Sequence, residues 1–199
     1  MKPFANLFFE LGMLGRMKRT GPYAAGVKDP ETIAQHSHRA ICIAYILAKL
    51  ENADVEKVLL MALFHDFPES RLGDMNKVTL RYVTLNNAEE KCLTEQTQNL
   101  PKNIQNEVLE NFKEFNERKT KEAIVAKDAD LLECAVQSKE YLDLGVKSMT
   151  DWITNVENAL KTESAKRLLK EIKATSQDEW WHGLKKLIMD DTRRKNEHQ

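Results

Sequence analysis

Residues 31–66 read ETIAQHSHRAICIAYILAKLENADVEKVLLMALFHD, and their apolar side chains recur with the spacing of two α-helices. From Glu31 to about Glu51 these side chains fall three, four and seven residues apart, which is typical of a helix with one buried face. The second helix begins at Asp54, a residue type that caps helix N-termini, and ends near Pro68. The pattern therefore predicts two adjacent amphipathic helices.

Helical patterns continue on both sides of these two helices. Before them, a short helix over 4–14 leads into a loop over 16–30, which contains four Gly and Pro residues. After them, helices are predicted over 77–99, 103–117, 119–144, 152–160, 164–172 and 178–189. The sequence thus predicts an all-α fold and a single domain over 1–199. Its core covers about 5–145, and C-terminal helices over about 148–190 pack on that core.

The composition limits the classes of function. The chain carries 30 Lys plus Arg and 31 Asp plus Glu, so its formal net charge of -1 attracts neither a nucleic acid polymer nor an anionic membrane. No run approaches the roughly 20 apolar residues of a membrane span. The cysteines, Cys42, Cys92 and Cys134, lie far apart, and we expect buried thiols in a reducing compartment. We interpret residues 1–17 as an amphipathic helix rather than a signal peptide, and we therefore expect a cytoplasmic location.

Two histidines lie on helix faces that are otherwise apolar. His65 follows Val58 by seven residues and Ala62 by three, and His36 precedes Ala40 by four. Buried ring nitrogens need polar partners, because an unsatisfied polar group costs free energy inside a protein. A hydrogen-bonded core histidine meets that need, and so does a metal ligand.

A carboxylate occupies a similar position later in the chain. Asp130 stands four residues from both Ala126 and Cys134, where the helical pattern predicts a small apolar side chain. A buried carboxylate needs a cation or a hydrogen-bond donor, and an isolated Asp often acts as a cap or an ion-pair partner. If the histidines, Asp66 and Asp130 converge, however, they form a divalent-metal site with nitrogen and oxygen ligands.

The segments QHSHR (35–39), HDFPESRLGD (65–74) and AKDAD (126–130) resemble the H…HD…D signature of the HD-domain metal-dependent phosphohydrolases. RTGP (19–22) and PETIAQH (30–36) extend the likeness to the branch of bacterial 5'-deoxynucleotidases and their eukaryotic relatives. The resemblance covers most of residues 5–145 and implies an HD-domain helical bundle.

The resemblance also implies a role for each matching residue. The implied ligands of one divalent metal ion are His36, His65, Asp66 and Asp130. Glu69 matches the acid that positions or deprotonates the attacking water, and Asp74 matches an adjacent acid near substrate and water. Arg19 matches the loop arginine that binds phosphate, a role suited to a planar guanidinium. Asp128 is not expected to be a ligand.

The function implied is that of a metal-dependent 5'-nucleotidase, which removes phosphate from (deoxy)nucleoside 5'-monophosphates, and the resemblance implies a homodimer. The sequence departs from many members at Thr20 or Pro22, where a Trp is usual. Two alternatives stay open. One is a nucleoside triphosphate, alarmone or phosphodiester hydrolase with the same metal site, and the other is a catalytically silent nucleotide-binding protein.

Overall fold

The computed structural model describes residues 1–85 and 87–184, and the regular structure of these residues is helical. The α-helices in chain order are α1 (Lys2–Leu11), α2 (Thr20–Ala24), α3 (Ile33–Glu51), α4 (Val55–Phe64), α5 (Glu69–Leu72), α6 (Lys77–Leu80), α7 (Ala88–Thr97), α8 (Lys102–Glu117), α9 (Lys121–Asp143), α10 (Thr150–Ala159) and α11 (Glu163–Ala174). A 3-10 turn, Lys147–Met149, precedes α10, and residues 179–184 are helical as well. Within the described ranges the chain forms no β-strand, only an isolated bridge between Lys18 and Thr32, so the all-α prediction is confirmed.

Side-chain caps fix where the main helices begin. The Thr32 hydroxyl accepts a hydrogen bond from the Gln35 backbone N–H, and the Gln35 side chain accepts one from the Thr32 N–H, which makes a capping box at α3. Asp54 caps α4 by accepting from the Lys57 N–H at 3.2 Å, as its position in the sequence predicted. Thr120 caps α9 in the same way. These bonds satisfy N–H groups that the first helical turn leaves without partners.

The main core lies where α3, α4 and α9 pack together. Leu47 of α3, Met61 of α4 and Leu132 of α9 are buried there. Both α10 and α11 also pack against α9, and they add Ile153 and Leu169 to the same apolar cluster. The helices after residue 145 therefore share the core of the helices before it.

A smaller apolar cluster supports the C-terminal end of α4. Phe64 packs there with Leu93 of α7 and with Val108 and Phe112 of α8. Because His65 and Asp66 directly follow Phe64 in the chain, this cluster holds the backbone from which both polar side chains project.

The structure differs from the sequence predictions at several places: the loop predicted over 16–30 contains the short helix α2, and α4 ends at Phe64 rather than near Pro68. The single helix predicted over 77–99 is two helices, since α6 ends at Leu80 and α7 begins at Ala88. Asn87 has a φ of 63°, a left-handed conformation that interrupts a helix. Among the cysteines, Cys92 is buried as expected, but Cys42 is exposed.

Some predictions fall beyond the described part of the chain. The predicted end of the domain at residue 199 and the last predicted helix after residue 184 lie outside the described residues. No described helix combines the length and the apolar character that crossing a bilayer needs.

Asp128 of α9 holds the start of α11. Its carboxylate accepts hydrogen bonds from the Lys161 N–H at 3.1 Å, the Thr162 N–H at 2.7 Å and the Thr162 hydroxyl at 2.8 Å. The residue is 1% exposed, so water does not replace these bonds easily.

Asp128→Ala is therefore expected to lower the free energy of unfolding by about 2–4 kcal/mol, because hydrogen bonds to a charged group contribute about 1.5–3 kcal/mol and their loss leaves donors unsatisfied. Urea denaturation followed by circular dichroism measures this change. Asp29→Ala, which removes an exposed ion pair with Lys18, is the control and is expected to change stability by less than about 1 kcal/mol. Equal stabilities of the two variants would contradict the structural role of Asp128.

Candidate metal centre

Four polar side chains from three parts of the chain meet inside the bundle. His36 projects from α3, His65 and Asp66 follow α4, and Asp130 projects from α9. His36 Nε2 lies 3.0 Å from Asp130 Oδ1 and 3.8 Å from Asp66 Oδ2. His65 Nε2 lies 3.0 Å from Asp66 Oδ1 and 3.9 Å from Asp130 Oδ1. Two imidazole nitrogens and two carboxylates therefore face one another at short range.

The two Nε2 atoms have no hydrogen-bond partner among the described residues, although both are buried. Carboxylate oxygens of Asp130 and Asp66 lie 3.0 Å from these atoms, within ion-pair distance. In His65 the other ring nitrogen, Nδ1, lies 2.8 Å from the Ala62 carbonyl oxygen. A carbonyl only accepts, so Nδ1 donates, and Nε2 is the ring nitrogen left toward the carboxylates, where a deprotonated Nε2 offers its lone pair to a cation. Such a donor set fits a divalent cation.

Both carboxylates of the cluster are held by neighbouring donors. The Ser37 hydroxyl donates to Asp66 Oδ2 at 2.6 Å, and Lys127 Nζ donates to Asp130 Oδ2 at 2.6 Å. Burial raises the pKa of Asp66, but the charges of His65, His36 and Arg19 outweigh burial and bring the pKa below its ordinary value. Burial likewise opposes ionisation of Asp130, yet Lys127 and the two histidines hold its pKa well below the usual range. Both side chains are therefore anionic at neutral pH.

Glu69, the first residue of α5, lies beside these carboxylates in a different state. Its Oε2 atom is buried and has no hydrogen-bond partner in the part of the chain that is described. Burial, followed by the negative charges of Asp66 and Asp74, raises the pKa of Glu69 to about 9, although Arg19 opposes the rise. Without further positive charge nearby, Glu69 thus keeps a proton at neutral pH.

Arg19 reaches the cluster from the loop before α2. Its Nη1 lies 3.1 Å from Asp74 Oδ1, and its Nη2 donates to Cys134 Sγ at 3.5 Å. Desolvation disfavours the charged guanidinium, but the negative groups around it raise the pKa of Arg19 well above its ordinary value. Asp74 also accepts from the Thr20 hydroxyl at 2.8 Å, which ties the loop to the segment after α5.

The structure brings together the seven residues that the sequence singled out, namely Arg19, His36, His65, Asp66, Glu69, Asp74 and Asp130. Asp128 lies apart from them at the start of α11, and His38 is exposed. A cavity of about 60 Å³ is lined by His65 and Glu69, by Glu89, and by apolar side chains that include Met75 and Leu80.

Sequence reasoning missed Glu133, which is fully buried and contacts His36 Nδ1. It also assigned no role to Arg39, which binds Glu133. One signal was available: Glu133 follows Asp130 by three residues, so it lies on the same side of α9.

The sequence model of the HD domain family matches residues 11–173, most of the chain. The protein belongs to the HD-domain family. Among its relatives are two proteins named 5'-deoxynucleotidase HDDC2. The one from Dictyostelium discoideum is 31% identical over 151 residues, 71% of this chain and 78% of that protein. The human one is 29% identical over 135 residues, 67% of this chain and 66% of that protein. These relatives agree with the resemblance of the sequence to the 5'-deoxynucleotidase branch of the family.

Solved structures of other proteins share the HD-domain bundle. A conserved hypothetical protein from Pyrococcus furiosus is 29% identical, with a TM-score of 0.73 over 86% of this chain and 99% of its own. A predicted coding region from Archaeoglobus fulgidus is 28% identical, with a TM-score of 0.63 over 91% of this chain and 100% of its own. These comparisons confirm the resemblance to the HD-domain phosphohydrolases. They also confirm the helical bundle that this resemblance implies.

Proposed function

We propose that this HD-domain protein is a divalent-metal-dependent 5'-nucleotidase that removes phosphate from (deoxy)nucleoside 5'-monophosphates. The observation that carries the proposal is the pair of buried imidazole Nε2 atoms that face two ionised carboxylates and lack hydrogen-bond partners in the described chain. The name 5'-deoxynucleotidase, borne by relatives from Dictyostelium, human and fission yeast, supports the same reaction.

His36, His65, Asp66 and Asp130 would hold one divalent ion. Mixed imidazole and carboxylate donors suit several divalent transition metals, so the donor set supports a metal without selecting one. When bound, such an ion neutralises charge on a phosphate group and makes water more acidic. The remaining steps depend on the chain's own side chains.

Arg19 binds the phosphate group in this proposal. Its guanidinium is permanently charged, lies close to Asp66 and Glu69, and presents several donors in one plane. Asp74 holds one edge of the guanidinium at 3.1 Å and so aims the group. Planar donors suit the two oxygens of a phosphate edge, which supports a phosphomonoester as the ligand.

Glu69 is the proton acceptor for the attacking water, and Asp74 is the acid beside it. The raised pKa of Glu69 arises from burial and from the negative charge of Asp66 and Asp74. Positive charge added among the carboxylates opposes these causes, so Glu69 releases its proton and becomes able to accept one. An acceptor tuned in this way is effective near neutral pH.

The charges around the cluster favour a monophosphate over a triphosphate. Lys18, near Arg19 in sequence, pairs with Asp29 at 2.7 Å and is exposed, and Arg16 is also exposed. Lys127 is already bound to Asp130. The described residues near Arg19 thus offer little additional positive charge for extra phosphate groups. The substrate is a small nucleotide, and the homodimer and the cytoplasmic location stay predictions.

A phosphate-release assay tests this function. We expect free phosphate from nucleoside 5'-monophosphates with a divalent ion present, much slower release from di- and triphosphates, and no release in EDTA. Asp66→Ala, assayed on the same day, is the control for contaminating phosphatase. Faster turnover of triphosphates would favour the triphosphate hydrolase alternative, and nucleotide binding without any phosphate release would favour a silent binding protein.

A pair of variants on α9 tests the ligand set. Asp130→Asn is expected to lose the bound metal, because a neutral amide replaces a carboxylate that faces both imidazoles. Asp128→Asn, the same change two residues away, is expected to keep metal and activity because its carboxylate faces Thr162. Elemental analysis of both purified proteins is the measurement. Metal retained by Asp130→Asn and lost by Asp128→Asn would reverse the assignment.

Arg19→Ala is expected to keep the metal but lose at least about ten- to hundredfold in kcat/KM, since a bond to a charged group contributes roughly 1.5–3 kcal/mol and each 1.4 kcal/mol is about tenfold. Arg19→Lys should recover only part of this loss, because a point charge does not reproduce a two-pronged contact. Steady-state kinetics on a monophosphate, with metal content determined on the same sample, measures both. A near-normal kcat/KM in Arg19→Ala would remove the residue from the site.

A further inference from the structure

The two histidines of the candidate metal centre are oriented by different means. His65 Nδ1 donates to the carbonyl oxygen of Ala62, so the backbone at the end of α4 sets this ring. His36 Nδ1 contacts Oε2 of Glu133 on α9, and both side chains are fully buried. The orientation of His36 therefore depends on a side chain from another helix.

We propose that Glu133 is a positioning residue, which holds His36 in the tautomer whose Nε2 lone pair faces Asp66 and Asp130, and that Arg39 fixes Glu133 for this purpose. The inference rests on the metal site proposed above and adds two residues outside its ligand set. A carboxylate accepts but does not donate, so His36 Nδ1 carries the proton. Nε2 is then the nitrogen available to a metal ion.

Arg39 leaves Glu133 little freedom to turn. From α3 its Nε donates to Glu133 Oε1 at 2.8 Å, while its Nη1 donates to Glu140 at 2.8 Å and its Nη2 to Gln137 at 2.6 Å. All three acceptors belong to α9, so the planar guanidinium is fixed against that helix. One oxygen of Glu133 is thus bound to Arg39 and the other to His36.

This arrangement gives Glu133→Gln a specific defect. Arg39 offers only donors, so the amide oxygen of the new side chain must face Arg39 and its NH2 group must face His36. His36 Nδ1 then has to accept a hydrogen bond, and the neutral ring carries its proton on Nε2. A protonated Nε2 has no lone pair for a metal ion.

Calorimetric titration of the metal-free full chain with Mn²⁺ tests the proposal. Glu133→Gln is expected to weaken Mn²⁺ binding by about 10- to 100-fold, the usual range for residues that orient a ligand. Asp143→Asn, another acid-to-amide change on α9 that affects an ion pair with Lys139, is the matched control and is expected to stay within about twofold of wild type.

The double variant Arg39→Met/Glu133→Gln separates positioning from mere structural support. Without Arg39 the amide turns and offers its oxygen to His36, so Mn²⁺ binding is expected to be at least about threefold tighter than in Glu133→Gln alone. If Glu133 only supported the fold, loss of a second buried partner would weaken binding further. The proposal would be overturned if the double variant bound Mn²⁺ more weakly than Glu133→Gln does. It would also be overturned if a folded Glu133→Gln bound Mn²⁺ with an affinity within about twofold of wild type.

Circular dichroism in EDTA checks that each variant folds. If Glu133→Gln does not fold, Arg39→Lys replaces it in the titration, because lysine keeps the positive charge and loses the planar contact of the guanidinium. Unchanged Mn²⁺ affinity in a folded Arg39→Lys variant would also overturn the proposal. Asp66→Ala distinguishes the two levels of inference. Equal Mn²⁺ binding by wild type and Asp66→Ala refutes the metal site itself, whereas loss in Asp66→Ala with no loss in Glu133→Gln refutes only the role of Glu133.

Discussion

Burial of negative charge inside a helical bundle is the constraint on which the rest of this structure depends. Asp66 is 6% exposed and Asp130 is 9% exposed, and a carboxylate in such surroundings costs several kcal/mol unless charge or hydrogen bonds compensate it. Ser37 and Lys127 supply one hydrogen bond each. Arg19 adds positive charge from a loop that is distant in sequence. The packing of α3, α4 and α9 therefore has to accommodate a charged centre as well as an apolar core.

Helix α9 carries its two buried aspartates on different sides. Asp128 and Asp130 are separated by about 200° around the helix axis, since each residue advances about 100°. Asp128 consequently binds Thr162 at the start of α11, while Asp130 faces the histidines. Buried alanines next to these acids in the sequence, Ala126 and Ala129, let the neighbouring helices approach closely.

Much of the fold could be predicted from helical period and caps, and the same period singled out His36, His65 and Asp130, whereas the roles expected of Arg19, Glu69 and Asp74 came from the resemblance to the HD-domain family. The start of α4 followed from Asp54, and the separation of Asp130 from Asp128 followed from helix phase. The break before α7 could not be predicted, because the local pattern is compatible with a continuous helix, whereas α6 ends at Leu80 and Asn87 adopts a left-handed conformation just before α7. The contact between Glu133 and His36 was missed for a different reason: it joins positions 97 residues apart, and only packing brings them together.

The first turns of α3 link the two parts of the proposed reaction. The Glu31 carbonyl accepts a hydrogen bond from the Arg19 N–H at 2.9 Å, and the Met17 carbonyl accepts one from the Ile33 N–H at 3.0 Å. The loop that carries Arg19, the residue proposed to bind phosphate, is thereby attached to the segment that leads, within one turn, to His36. Because a helix is stiff over that distance, the spacing between Arg19 and His36 is set by backbone bonds. Side-chain contacts from α9 then have to fix only the rotation of the imidazole ring.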